Sequence, residues 1–216
     1  MIQVYNEDCL QALKQMDSNQ FDLAIVDPPY GIHEKLITSS KPNVGNKFCH
    51  EYMKKNWDKN RPSSEYFEEL IRVSRNQIIW GGNYFADLLP PSRGWICWDK
   101  EGDHLCQINN ELAWTSFDKA LKMFRRCYGL DNGFMVRRAV DTRIHPTQKP
   151  IALYKWILDN YAKEGYKILD THLGSGSIAI ACSDMGFDLT AYEIDKEYYD
   201  LAMNRLREHQ KQLRLF

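Results

Sequence analysis

Leu23-Ala24-Ile25-Val26 places four apolar residues in a row, and Asp27-Pro28-Pro29-Tyr30-Gly31 then cuts the run off. An apolar run without polar alternation suits a strand buried on both faces of a parallel sheet, so helices are expected on either side of it. The two prolines remove two backbone donors and disfavour continuation as helix or ladder. Asp27 adds a carboxylate at the strand's end and Tyr30 a flat ring. A carboxylate, stiffly held carbonyls and a ring make a pocket that accepts hydrogen bonds from a planar group carrying an amine. The same residues also serve as a plain turn closing a core strand, and other parts of the chain must decide between the two.

The surrounding pattern predicts one α/β domain over residues 1–216, doubly wound around a mostly parallel sheet. Ile2–Tyr5 reads as a strand and ends in Asn6-Glu7-Asp8. A short helix carrying Leu10, Leu13 and Met16 on one face follows. Ser63 is placed to cap a helix whose apolar face is Tyr66, Phe67, Leu70, Ile71 and Val73. Gln77–Trp80, Trp95–Trp98 and Leu112–Thr115 read as strands, with Gly81-Gly82-Asn83 closing the first. Helical spacing resumes at Ile151, Tyr154, Ile157, Leu158 and Tyr161. Strand 167–170, helix 177–184, strand 189–193 and helix 195–207 complete a rhythm typical of a parallel sheet covered on both faces. Trp-Asp occurs at 57 and 98 with different flanks, which does not make a repeat.

Two basic stretches interrupt this order. Residues 32–62 and 116–144 are polar and poor in periodicity, and loops this long in a compact domain are usually functional or disordered. Net charge is −1, yet His33–Arg61 and Asp118–Arg143 each carry +4, leaving −9 on the remainder. Such stretches serve either as solvated loops or as an electrostatic footprint for a polyanion. No apolar run approaches the ~18 residues of a membrane span. The start of the chain lacks the charged and apolar regions of a signal peptide. Six scattered cysteines without a Cys-x-x-Cys pair read as reduced thiols, so a cytoplasmic protein is expected. Cys49-His50 and His104/Cys106 have no second ligand pair at zinc spacing, so no metal is expected.

The second informative cluster lies near the carboxyl end. Asp170 ends a strand, Gly174-Ser175-Gly176 opens a helix, and Glu193 ends the next strand 23 positions after Asp170. In doubly wound sheets this arrangement sets a ligand across the helix amino terminus, with the second acid placed to meet ribose hydroxyls. Ala179 stands where the dinucleotide fingerprint has its third glycine, and no Lys-Ser/Thr ending marks a phosphate loop. A ribose acid without a phosphate cradle favours a nucleoside-type cofactor.

Asp27-Pro28-Pro29-Tyr30 together with Asp170-Thr171-His172-Leu173-Gly174-Ser175-Gly176 resembles the amino-methyltransferases that use S-adenosylmethionine. The order, catalytic half before cofactor half, is similar to the beta-type DNA adenine methyltransferases, and the likeness covers most of the chain. It implies a Rossmann-like methyltransferase fold. Catalytic roles fall on Asp27, Pro28, Pro29 and Tyr30. Cofactor contacts are implied for Asp8 and Cys9 in the acidic turn, for Asp27, Asp170, His172, Gly174, Ser175, Gly176, Glu193 and Ile194, and for Lys149. Lys149 lies in His145-Pro146-Thr147-Gln148-Lys149-Pro150, which resembles the segment at the cofactor's methionine end. Trp80-Gly81-Gly82-Asn83-Tyr84 also has the family's look. Thr171 and His172 depart from the Pro and Phe usual there, and the stretch before His145 is short for a target-recognition region.

The resemblance further implies double-stranded DNA as the partner, gripped by Lys47, Lys54, Lys55, Arg125, Arg126, Arg137 and Arg138. The target amine would be the 6-amino group of an adenine flipped out of the duplex. The competing expectations are the 4-amino group of cytosine and a non-catalytic DNA-binding subunit of the same fold. So small an enzyme is expected to be a monomer or homodimer, and a restriction nuclease is a possible companion.

Overall fold

The computed structural model describes residues 1–32, 60–100, 110–125, 130–131, 134–135, 144–145 and 147–213. Its centre is an eight-stranded sheet. The strands are β1 (Ile2–Tyr5), β2 (Leu23–Val26), β3 (Gln77–Trp80), β4 (Trp95–Asp99), β5 (Asn110–Thr115), β6 (Lys122–Arg125), β9 (Lys167–Asp170) and β10 (Asp188–Tyr192). β7 (Leu130–Asp131) and β8 (Phe134–Met135) form a separate antiparallel pair. The order across the sheet is β1-β10-β9-β2-β3-β5-β4-β6. β1, β10, β9, β2 and β3 run parallel; β5 alone is reversed, between β3 and β4. β6 returns parallel to β4.

The apolar run of β2 is buried at every position, because the sheet is covered on both faces. Leu23 and Ile25 pack with Ile78, Trp80 and Ile168 beneath α3 (Ile151–Tyr161), α4 (Ser177–Met185) and α5 (Lys196–Leu213). Ala24 and Val26 point the other way, with Ile79 and Leu169, against α1 (Cys9–Leu13) and α2 (Ser64–Val73). Side chains alternate along a strand, so one four-residue run supplies both cores. Burying a side chain the size of Leu or Ile contributes ~1.5–3 kcal/mol, so an apolar-to-polar change at any of the four positions would break one layer.

Local chemistry sets the helix starts. Asp8 Oδ1 accepts from the N–H of Leu10 at 2.9 Å and begins α1, and Ser63 Oγ accepts from Tyr66 N–H at 3.3 Å and begins α2. Gly176, at φ +72°, precedes α4 in a left-handed conformation that a residue with a Cβ rarely adopts.

Three expectations need correction. The stretch 116–144 is not irregular throughout, since β6 and the β7–β8 pair fall inside it; Phe124 packs its ring on Trp156 of α3, which gives β6 an apolar anchor. Ile71 leaves the apolar face of α2 and is 39% exposed, because Leu70 and Val73 already fill the positions that face the sheet. The last helix runs on to Leu213, well past Arg207. No helix among the described residues is long and apolar enough to cross a membrane. Cys9, Cys97 and Cys182 are free thiols.

Candidate active site

Asp27 and Asp170 stand at the carboxyl edge of neighbouring parallel strands, where Leu23 pairs with Ile168 and Ala24 with Leu169. Continued alternation from Ile25 and Ile168 turns both carboxylates towards the face covered by α3, α4 and α5. In open α/β sheets, ligands bind at this edge.

Asp27 is held at both oxygens. The Tyr30 hydroxyl donates to Oδ1 at 2.6 Å, and the Lys149 ammonium donates to Oδ2 at 2.6 Å. The Lys149 side chain is 2% exposed; its nitrogen also lies 3.1 Å from Glu111 Oε2 and 5.0 Å from the centre of the Trp80 ring. Glu111 is in turn paired with Lys100. Burial by itself would lower the Lys149 pKa, but Asp27 and Glu111 outweigh it and hold the ammonium above its ordinary value. Burial pushes Glu111 up, and Lys149 and Lys100 reverse this, leaving its pKa lowered.

An aromatic wall closes one side. Tyr30 stacks on Tyr84, with centroids 4.9 Å apart and planes 16° from parallel, and meets the edge of Phe85 at 6.1 Å. Burial and the Asp27 charge raise the Tyr30 phenol well above its ordinary value, so the hydroxyl stays protonated as a donor. Gly81 makes the wall possible: at φ +68°, a Cβ there would lie 2.2 Å from Tyr30 Cε1.

The second acid cluster forms as the strand ends come together. Burial, reinforced by the charges of Asp27 and Glu193, raises Asp170 to about 8, against the lowering effect of the His172 N–H that Oδ1 accepts at 3.0 Å. Among the described residues no Lys or Arg forms an ion pair with Asp170, so this buried carboxyl suits a cationic ligand. Glu193 Oε2 accepts from Gly174 N–H at 2.8 Å and Oε1 from Asp195 N–H at 2.9 Å, which ties the turn after β10 to the glycine turn. Asn6 donates to the carbonyls of Glu193 and Ile194, closing the end of β1 onto the same place. Ile194 is 69% exposed beside the Glu193 carboxylate.

Cys9 opens α1; burial and Asp8 raise its thiol to about 12, so it stays protonated and unreactive. His172 takes a fixed orientation through Thr171: Tyr66 hydroxyl, Thr171 Oγ1 and His172 Nδ1 form a chain at 2.6 and 2.9 Å. Burial lowers the imidazole to about 4, with Asp8 opposing, so the ring is neutral at ordinary pH. The ring of His145, itself buried, lies 3.8 Å from where a Cβ on Gly174 would be.

The structure therefore gathers Asp27, Tyr30 and Lys149 in one cluster, and joins Asp8, Cys9, Asp170, His172, Gly174–Gly176, Glu193 and Ile194 along the adjoining strand ends. Of the basic residues, only Arg125 is described, and its Nε donates to Asp99 Oδ2 at 2.7 Å. Lys47, Lys54, Lys55, Arg126, Arg137 and Arg138 lie outside the described residues, as do Cys49, His50, His104 and Cys106. The topology still places where these segments leave the fold. Chain 33–59 follows β2, chain 101–109 joins the end of β4 to the start of the reversed β5, and chain 126–129 follows β6. The described flanks, namely the ends of β2, β4 and β6 and the start of β5, lie at the edge that holds Asp27. Arg61 returns to within 3.0 Å of a Cβ position on Gly31 and bonds both oxygens of Asp87, so the two ends of the first basic stretch meet beside Tyr30.

Glu111 and Lys100 are site residues that the sequence does not single out, whereas Trp80 and Tyr84 stand in the segment marked only by its family look. Gly81-Gly82 carries the one usable signal, for Tyr84; Glu111 and Lys100 belong to the site only because β5 inserts antiparallel between β3 and β4, which periodicity does not show.

Comparison with known proteins gives the family and the fold. A family model described as DNA methylase, for N6 and N4 amino-methyltransferases, matches residues 93–204. The Type II methyltransferase M2.DpnII of Streptococcus pneumoniae is 39% identical over 95% of this chain and 89% of its own length. The Type II methyltransferase M.HpaI of Haemophilus parainfluenzae is 24% identical over 92% of this chain and 72% of its own. Among solved structures, an M1.HpyAVI–SAM complex superposes with a TM-score of 0.61 at 19% identity, over 95% of this chain and 100% of that one. The cytosine-N4-specific PvuII DNA methyltransferase gives 0.60 at 13% identity, over 97% and 90%. These likenesses share the fold, and the sequence matches go further: the chain belongs to the family of N6/N4 DNA amino-methyltransferases.

Proposed function

We propose that the protein transfers a methyl group from S-adenosylmethionine to the 6-amino group of an adenine turned out of double-stranded DNA. The observation that carries this reading is the anchored Asp27 carboxylate, held at the end of β2 between an aromatic wall and the buried Asp170. The resemblance favours adenine over cytosine, because the cytosine enzymes among the similar families more often carry Ser where Asp27 stands.

The residues fit the cofactor by charge. Asp170, buried and without a paired cation among the described residues, suits its cationic methionine end; Glu193, fixed at both oxygens, suits ribose hydroxyls; exposed Ile194 and Asp8 suit the face and amine of its adenine. When bound, the cofactor supplies an electrophilic methyl on sulfonium sulfur: the nitrogen–carbon bond forms as the sulfur–carbon bond breaks, and that bonding pair stays on sulfur. The target amine is a weak nucleophile because its lone pair is delocalised into the ring. Asp27 Oδ1 and the Pro28 carbonyl accept its two hydrogens, which frees the lone pair for attack. Tyr30 stacks on the extrahelical base. The methylated nitrogen is cationic and passes its proton to Asp27 and then to water. Alignment and charge carry the rate.

The test is methylation of duplex DNA followed by digestion to nucleosides. N6-methyladenine is expected, and N4-methylcytosine would correct the base assignment. Asp27→Ala should lower the rate by ~10²-fold or more with the cofactor still bound. Full activity in that variant would overturn the mechanism.

A further inference from the structure

Lys149 belongs to a segment that the family resemblance places at the cofactor, yet its ammonium is spent inside the protein. One donor is directed at Asp27, the Glu111 carboxylate lies 3.1 Å away as an ion pair, and the indole face of Trp80 lies across the ammonium. Lys100 holds Glu111 from the other side, so charge alternates along Lys100, Glu111, Lys149 and Asp27. We propose that Lys149, steadied by Glu111, is a positioning residue of methyl transfer: it fixes the Asp27 carboxylate through Oδ2, presents Oδ1 to the target amine, and sets a positive charge between that carboxylate and Glu111. The proposal rests on the reading of Asp27 as the acceptor of that amine.

Among the described residues, the charged and titratable groups that face Asp27 are Tyr30, Lys149, Glu111, Asp170, Tyr66 and Tyr154. Lys149 is the cation in contact with it among the described residues. Without that charge, Asp27 and Glu111 would remain as half-buried carboxylates with no ammonium between them, Asp27 also facing Asp170, and one would take up a proton to relieve the repulsion. A protonated Asp27 presents one acceptor fewer and cannot receive the proton released after transfer. The split between its oxygens follows from exposure: the Lys149 contact is sealed, whereas Tyr30 packs on Tyr84, which is 38% exposed. Tyr30 is therefore the partner that can yield to a substrate.

Lys149→Met and Glu111→Gln separate this role from a packing role. Single-turnover methylation of duplex DNA is measured from pH 5 to 9, alongside titration of each variant with S-adenosylmethionine and carbon-13 NMR titration of the Asp27 carboxyl. In Lys149→Met, transfer is expected to fall ~10²-fold while cofactor affinity stays within about threefold. The acid-side midpoint and the NMR midpoint should rise together by about one pH unit or more. Glu111→Gln keeps the Lys149–Asp27 contact and should give a smaller fall, about tenfold, with a smaller rise in both midpoints. It carries the test if Lys149→Met fails to fold. Midpoints that do not move in a folded variant would overturn the proposal. So would a large loss of cofactor affinity at an unmoved midpoint, which would return Lys149 to the cofactor site. Asp27→Asn provides the separate check: if it transfers methyl normally, the reading of Asp27 itself fails, whatever Lys149 does.

Discussion

The hydroxyl of Tyr30 lies 2.6 Å from Asp27 Oδ1, on the oxygen that the target amine needs in the proposed reaction. Before the base arrives, the ring that would stack on it also occupies its acceptor. Tyr30→Phe removes the competing donor and keeps the ring, so transfer should be equal to or a few times faster than in the parent enzyme. Tyr30→Ala removes the stacking surface, worth ~1–3 kcal/mol per base, and should lower kcat/KM about 10- to 100-fold. Fluorescence of 2-aminopurine at the target position reports the flipped base in both variants. A tenfold loss in Tyr30→Phe would show that the hydroxyl helps the reaction.

Gly81→Ala attacks the same wall from behind. The new Cβ would sit 2.2 Å from Tyr30 Cε1, and the residue would have to keep φ at +68°. The left-handed backbone alone costs ~1–2 kcal/mol, and the clash forces the ring off its place. A lower melting temperature and a transfer rate near that of Tyr30→Ala are expected, with cofactor affinity unchanged. Wild-type kinetics in Gly81→Ala would mean that the ring position is not critical.

Charge reversal in the basic stretches should act on DNA and leave the chemistry alone. Each lost phosphate contact lowers the salt slope of DNA affinity by about 0.9, so Lys54→Glu with Lys55→Glu should flatten it by up to about two units. Arg126→Glu is the better probe of the second stretch, because Arg125 already pairs with Asp99 and its reversal would also disturb β4 and β6. Binding measured at several salt concentrations checks this. An unchanged slope in both variants would make these stretches ordinary surface.

The parts of the site legible in sequence are those whose chemistry is local. Asp27 and the prolines end an unbroken apolar run, and Asp170, Gly174 and Gly176 follow a strand directly, so pattern and turn chemistry find both strand ends. Residues joined through strand order are not legible. Glu111 reaches Lys149 because β5 runs backwards beside β3, and nothing in Asn110–Thr115 announces that reversal. Periodicity passes over β6 because only Phe124 of its four residues gives an apolar anchor, packed on Trp156, while Met123 stays 50% exposed. The segment around Lys149 points to the cofactor, since a sequence shows which residues are neighbours along the chain and not which carboxylate an ammonium meets 122 positions away.

Asp170 ties stability, pH and cofactor binding together. Burial raises it from an ordinary 3.8 to about 8, so the folded protein holds this proton more tightly than the unfolded chain. A raised carboxyl takes stability away as pH rises: the loss starts near the unfolded value and levels off above about 8. Asp170→Asn keeps an acceptor for the His172 N–H and removes the titration. Each pH unit between the unfolded and folded values is worth ~1.4 kcal/mol, so the variant should be more stable than the parent at pH 8 by a few kcal/mol, and about equal below pH 4. The same variant should bind S-adenosylmethionine poorly, because the carboxylate that would meet the cationic methionine end is gone. In the parent, that cation favours the ionised acid, so binding at pH 6–7 should release close to one proton, and at pH 9 almost none. Calorimetry in buffers of different ionisation enthalpy counts the proton, and denaturation at pH 4 and pH 8 reads the stability. A binding enthalpy independent of buffer at pH 6.5, or an Asp170→Asn protein less stable than the parent at pH 8, would remove Asp170 from this role.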